Sequence, residues 1–315
     1  MVLPLSGPLT MQDIATEFGG TVPHSLSEYY RNGGLVPSNN TGVPTSGQIS
    51  IGDFYGAVNE IVYTATNAAS LNLSTAFGSN WGVDVPKRLI VPSGVTLGPV
   101  TSPTGMSGTL LIQNAGEIQG LGGAAGTSGV GNAGGDAITA NQSFTLINTG
   151  AIRGGGGGGG QGGTGGMGRV MTVAPPPDRT YCRLTSAACT CPTGNYICSK
   201  GGSCDKNSSY QYCFGQPTYA YYSGGAGGAG GIGTGYGQTQ GAGSAGSAGG
   251  PSAGAGGTGG SGSTWATAGG TGGTGANGNW TSGSAGSSGG AAGRAVLMVS
   301  GTLTLTNTGT INGAY

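Results

Sequence analysis

Residues 144–168 read "FTLINTGAIRGGGGGGGQGGTGGMG". The stretch begins as a strand, with apolar residues alternating up to Asn148. Asn148-Thr149-Gly150 then reads as a tight turn, and Ile152 as the centre of a short second strand. Seven glycines follow directly, Gly154–Gly160. Glycine loses the most backbone freedom on folding and has no side chain to bury. Either this run is a flexible linker, or it is packed where only glycine fits.

The strand-turn template recurs. "TLLIQNAGEIQG" (109–120) and "LTLTNTGTING" (303–313) match it, aligning Asn114, Asn148 and Asn307, then Ile118, Ile152 and Ile311. A weaker relative is "RLIVPSGVTLG" (88–98). The copies lie at unequal distances along the chain, which argues against a tandem solenoid of fixed period. They read as hairpins or as equivalent rungs that start and end glycine-rich excursions. The rung reading explains why glycines begin directly after two of the copies.

The glycines are periodic. In 224–293 they recur at every third position in blocks, such as Gly224, Gly227, Gly230 and Gly233, or Gly269, Gly272, Gly275 and Gly278. A linker has no reason to keep such a period. Collagen would hold one register and be rich in proline; here the register breaks between blocks. Three residues per turn is the geometry of polyproline II, whose backbone groups all point outward. Helices of that kind can bond one another if glycine faces every neighbour. Each bond adds only about 0.5–1.5 kcal/mol net, so such a stack needs many bonds and firm anchors. The fold class expected is therefore irregular and β with a polyglycine II sandwich, β rungs flanking it and a small helical module at the N-terminus.

Composition narrows the function. Ten Lys and Arg balance ten Asp and Glu, and only 6% of the 315 residues are charged. No nucleic-acid partner is expected from that balance. No apolar run approaches the roughly 18 residues of a membrane span, and "MVLPLSGPLTMQD" lacks the basic start of a secretory signal. The only histidine is His24, the acids are scattered, and "GGGGGGGQGG" lacks the Lys-Ser/Thr of a phosphate loop. No enzyme, cofactor or metal is expected.

Six regions follow: 1–56, a docking module of short helices; 57–107, a β connector; 108–168, rungs and the first glycine segments; 169–223, a Cys- and Tyr-rich insert; 224–293, the glycine core; and 294–315, a last rung. The first region repeats one pattern three times. Thr10 and Asp13, Ser25 and Glu28, and Ser50 and Asp53 have capping-box spacing. Apolar residues follow each, and Gly19, Gly33 and Gly56 stop each unit. Three short helices are expected, and Asp13, Glu17, Glu28, Asp53 and the adjoining Glu60 against Arg31 give a local charge of about −4. Met11, Ile14, Tyr29, Tyr30, Phe54 and Tyr55 are the docking candidates.

The insert holds all six cysteines: Cys182, Cys189, Cys191, Cys198, Cys204 and Cys213. Their even count favours three disulfides, with fifteen pairings open, over a zinc site or free thiols. Five of the ten Lys/Arg and seven of the thirteen Tyr are also there. A basic, tyrosine-rich, cross-linked loop suits recognition of anionic surface glycans. Tyr196, Lys200, Lys206, Tyr210 and Tyr212 are receptor-contact candidates. Trp265 and Trp280, which interrupt later glycine blocks, are either further loop-tip contacts or plugs at the end of the stack.

The N-terminal units "SGPLTMQDI" and "SGQISIGDFYG" resemble modules of phage structural proteins that carry glycine-rich regions. Residues 120–293 resemble the tail-fibre-tip adhesins of T-even-type phages, in which loops held on a glycine-rich sandwich bind the bacterial surface. The resemblance implies a virion protein made without a signal peptide. It would dock on other virion structural proteins through its N-terminus and bind a bacterial surface glycan or outer-membrane protein, with a homotrimer among the assemblies allowed. The alternative is a structural virion protein without a receptor, such as a decoration, collar or baseplate fibre.

Overall fold

In the computed structural model, which describes residues 3–173, 180–183, 196–198, 210–215 and 217–315, the Asn-x-Gly template makes a corner. The strand before it and the strand after it lie in different sheets, so it is no hairpin. β1 (Ile61–Thr64) and β2 (Leu71–Asn72) start a coil. The second turn is β3 (Lys87–Val91), β4 (Thr96–Leu97) and β5 (Val100–Ser102). The third is β6 (Leu110–Asn114), β7 (Glu117–Gln119) and β8 (Ile138–Ala140). The fourth opens with β9 (Phe144–Asn148) and β10 (Ala151–Arg153). The chain then departs through β11 (Gly168–Val173), β12 (Thr180–Arg183), β13 (Tyr196–Cys198), β14 (Tyr210–Gly215) and β15 (Thr218–Tyr222). It returns to finish that turn with β16 (Val296–Met298) and ends with β17 (Leu303–Asn307) and β18 (Thr310–Asn312).

Like strands stack on like. One face is β1-β3-β6-β9-β17, the second β4-β7-β10-β18 and the third β2-β5-β8-β16. Every pairing in these faces is parallel. The template register is kept: Asn114, Asn148 and Asn307 are partners, as are Ile118, Ile152 and Ile311. The asparagines are 34 and 159 residues apart. Both glycine excursions leave after a second-face strand and return to a third-face strand, at residues 120–137 and 154–295. An interrupted turn, not the lack of a solenoid, makes the spacing irregular.

Side-chain burial is concentrated in this coil. Leu89, Leu97, Val100, Ile112, Ile118, Ile138, Leu146 and Ile152 are wholly buried in one cluster. Each contributes about 1.5–3 kcal/mol relative to exposure. The corner asparagines form a ladder: Asn114 Nδ2 donates to Asn148 Oδ1 at 2.7 Å, and Asn148 Nδ2 to Asn307 Oδ1 at 2.7 Å. The ladder stops at β3, where Val91 takes the place of asparagine. Near the first turns, α2 (Leu73–Phe77) brings Phe77 against Trp81, with ring centroids 6.0 Å apart. Buried Lys87 closes three backbone carbonyls there, donating from Nζ to Val83, Val85 and Ser107 at 2.7, 2.9 and 2.8 Å. Burial pushes its ammonium pKa down, and Asp84 opposes that.

The fold class expected from the glycine period is thereby corrected. The protein is a β protein of stacked parallel sheets, with few helices, and not a polyglycine II sandwich flanked by rungs. The physical reason is that only the strands have apolar side chains to bury. The glycine segments fall in no helix or strand class and hang on the coil. They are nonetheless ordered by backbone bonds. Gly156, Gly159, Gly162 and Gly165 donate to Thr234, Gly231, Gly228 and Gly225 at 2.8–2.9 Å. Gly157, Gly160, Gly163 and Gly166 donate to Thr267, Gly270, Gly273 and Ala276 at 2.8–3.0 Å. Gly155, Gly158 and Gln161 turn to a third neighbour, at Gly135, Asn132 and Gly129. The seven-glycine run is buried throughout. A Cβ on Gly158 would stand 2.0 Å from the Ala124 carbonyl oxygen.

The N-terminal residues form a second apolar cluster of their own, around Ile14, Phe18, Tyr29, Val36 and Phe54. Helix α1 (Met11–Phe18) and two 3-10 turns, Leu26–Tyr29 and Ile51–Phe54, each begin with a complete capping box. This cluster ties to the start of the coil through Glu17, whose Oε1 accepts from the Asn59 N–H at 2.7 Å.

Candidate functional site

The direction of each glycine segment fixes what lies at either end of the lattice. Residues 154–168 run outward from β10, 224–235 run back, 241–249 outward, 253–263 back, 269–278 outward and 283–293 back to β16, as their hydrogen-bonded partners require. The turn at 263–269 therefore lies beside the coil. Trp265 sits there half-buried, with the Arg153 guanidinium 5.9 Å from its ring. Arg153 in turn pairs with Glu117 at 2.6 Å across β7 and β10. Trp265 thus packs at the coil end of the lattice.

Trp280 lies at the opposite end, beside the base of the insert. Its backbone N–H donates to the Met167 carbonyl at 3.1 Å, where residues 154–168 end. There the chain opens into an antiparallel ribbon, β11 paired with β15, that places Arg169 opposite Tyr221 and Met171 opposite Tyr219. Directly opposed residues share a face, and so do residues two apart. All four side chains thus stand on one side of the ribbon. Trp280 closes on that side: the Arg169 guanidinium lies 4.2 Å from its ring centroid and 4.3 Å from that of Tyr219. Tyr221 meets Trp280 edge-on at 5.5 Å. Asn279 locks the turn to the ribbon, accepting from the Arg169 N–H at 2.7 Å and donating to its carbonyl at 2.9 Å. Trp280, Tyr221 and Met171 remain about half exposed, at 47%, 52% and 48%.

Beyond the ribbon, β12, β14 and β13 form a three-stranded antiparallel sheet. Tyr196, Tyr210 and Tyr212 are strand residues of it, and the register sets Cys198 opposite Cys213 and Cys182 opposite Gln211. The side chains of these residues lie outside the described residues, as do Lys200, Lys206, Cys189, Cys191 and Cys204 altogether. Among the described residues, no three His, Cys, Asp or Glu side chains gather into a metal-binding group, and no helix is long and apolar enough to cross a membrane.

The docking candidates divide by burial. Ile14, Tyr29 and Phe54 are wholly buried in the N-terminal core, where Tyr29 meets Phe54 edge-on at 6.2 Å. Met11 and Tyr30 are half-buried, and Tyr55 is exposed with its hydroxyl donating to the Gly7 carbonyl at 2.6 Å. The acids of this region are engaged locally. Asp13, Glu28 and Asp53 accept from the N–H groups of Thr10, Ser25 and Ser50, and Glu60 pairs with Arg88 at 2.7 Å. The Thr10 hydroxyl and, after it, its N–H hold the Asp13 carboxyl below its usual pKa.

Sequence reading did not single out Arg169, Tyr219 and Tyr221 as site residues. They stand at the two ends of the insert, some fifty positions apart, and only the pairing of β11 with β15 unites them.

Residues 59–188, from the start of the coil into the insert, match the model of a family described as phage tail fibre adhesin Gp38. No curated protein matches the chain. Among solved structures, the gp37-gp38 adhesin tip complex of the bacteriophage S16 long tail fiber is similar over 99% of both chains, with a TM-score of 0.40 and 18% identity. Residues 59–188, which carry most of the coil and the first outward glycine run, are thus the part of the chain that is similar to the phage tail fibre adhesins.

Proposed function

We propose that this protein is a phage adhesin that docks on other virion structural proteins through its N-terminal cluster and presents the outer end of the glycine lattice to the bacterial surface. One observation carries the reading. Both glycine excursions leave the coil at the same corner, and the longer one bears the insert at the end remote from the coil. That layout supports a division of labour between an anchored end and a displayed end. Tyr30 and Tyr55, the candidates with ring surface in reach of a partner, are the residues this reading assigns to docking. The aromatic residues of the insert and Trp280 are those it assigns to the host.

Deletion of residues 180–215, outside the β11–β15 ribbon, tests this. Particles should assemble normally and lose adsorption to host cells. Normal assembly with unchanged adsorption would remove the receptor role of the insert and favour a structural virion protein without a receptor.

A further inference from the structure

The ribbon face at the outer end of the lattice combines features that a structural plug does not need. Its aromatic residues remain half exposed, and among the described residues the guanidinium of its cation, Arg169, is held by ring contacts alone. The Arg169 guanidinium carbon lies over the rings of both Tyr219 and Trp280, 4.3 and 4.2 Å from their centroids. The N–H donors of a guanidinium lie in its plane, so they remain available at the edge. Among the described residues, no carboxylate pairs with this edge and no acceptor bonds it. A planar cation of this kind recognises carboxylate or phosphate with two parallel bonds. Beside it, the ring surfaces of Trp280 and Tyr221 offer a flat, amphipathic platform. The patch consists of a few side chains, whereas a protein partner of standard size needs about 800 Å² per side.

We infer that the ribbon face formed by Arg169, Tyr219, Tyr221 and Trp280 binds an acidic saccharide. A sugar ring lies on Trp280 and Tyr221, and its carboxylate or phosphate meets the edge of Arg169. The inference rests on the adhesin reading for the source of the sugar, the host envelope. It places a contact site on the rigid base of the insert instead of its tip.

The test uses the full chain and an acidic oligosaccharide purified from the host envelope, with the same material dephosphorylated and carboxyl-reduced as control. Calorimetric titration should show binding to the acidic form. Affinity should fall about tenfold or more for the neutralised form, for Trp280→Ala and for Arg169→Lys, which keeps the charge but loses the planar fork. Trp265→Ala, at the coil end, should bind like wild type. Arg169→Lys keeps the test sound where Trp280→Ala disturbs the ribbon, and melting curves report on that. Equal affinity of wild type and Arg169→Lys for the acidic form would overturn the inference. So would wild-type binding to host cells that is abolished by protease treatment and not competed by the oligosaccharide, which marks a protein receptor. Failure of the wild-type chain to bind host cells at all would instead defeat the adhesin reading.

Discussion

Ile118, Ile152 and Ile311 stack over successive turns of the coil and shed their water against Leu97, Leu146 and their neighbours. Three residues after Ile152 the chain enters the lattice, and from Gly155 to Gly160 no side chain exists to be buried. Both regions are ordered, by different means. In the coil, strand hydrogen bonds set the register and apolar area supplies the stability. In the lattice, side chains are excluded and the backbone of one segment is itself the packing partner of the next. The coil therefore tolerates loss of a bond better than loss of a methyl group, and the lattice the reverse.

The most disruptive single change should be Gly158→Val. Its Cβ would meet the Ala124 oxygen at 2.0 Å, the Ala124 carbonyl carbon at 2.6 Å and the Gly123 oxygen at 2.9 Å, none of which can rotate away. A cost of about 4 kcal/mol or more is expected, at the upper end for one substitution. Hydrogen exchange should become fast across 154–168 and 225–293 while the coil amides stay slow. Loss of protection in both at once would show that the two regions are one cooperative unit. Next in size, Leu146→Ala should cost about 3 kcal/mol, as cavities in cores do. Denaturant melts should register it, and here the coil should lose protection first. Asn148→Ala interrupts the corner ladder and leaves the buried Asn114 amide short of an acceptor. A cost of about 1–2 kcal/mol is expected, separable from the loss of packing by comparison with Asn148→Asp.

The smallest effect lies outside both regions, in the N-terminal module. Asp13 has its carboxyl pKa lowered by the Thr10 hydroxyl and N–H. A depressed carboxyl pKa stabilises the folded form above the unfolded value, here 3.8, and this contribution is lost as pH falls through the folded value. The melting temperature of the module should therefore drop below about pH 4. Asp13→Asn should flatten that part of the profile. A profile identical to wild type would mean that the cap adds nothing to stability.

What the sequence disclosed depended on the range of the interaction. The three capping boxes are contacts between residues three apart, and Thr10, Ser25 and Ser50 could be paired with their acids by counting. The burial of Ile14, Tyr29 and Phe54 could not be counted. An apolar residue after a cap faces either a core or a partner, and only the folded cluster decides. The coil was hidden for a different reason. Its three clear template copies were visible, but the excursion between β10 and β16 separates two of them by 159 residues, and a fixed-period test fails on such an array. The glycine period was equally visible and misled about class, because it reports how segments meet and not where apolar area is buried. Trp265 and Trp280 give the same local signal, a tryptophan between glycine blocks. They stand at opposite ends because the segment between them runs from one end of the lattice to the other. The order of reversals, which depends on every preceding turn, settles that.

One property of the lattice bears on how such a protein can change. Its donors recur at every third residue and find a fresh acceptor at every third residue of the neighbour. Length is therefore quantised. Adding three residues to each of the adjoining segments extends the reach of the outer end by one step and leaves every existing bond with its partner. Adding one or two rotates the backbone groups of that segment toward the wrong neighbours. The distance between the coil and the ribbon can thus be adjusted in discrete steps, without redesign of either end.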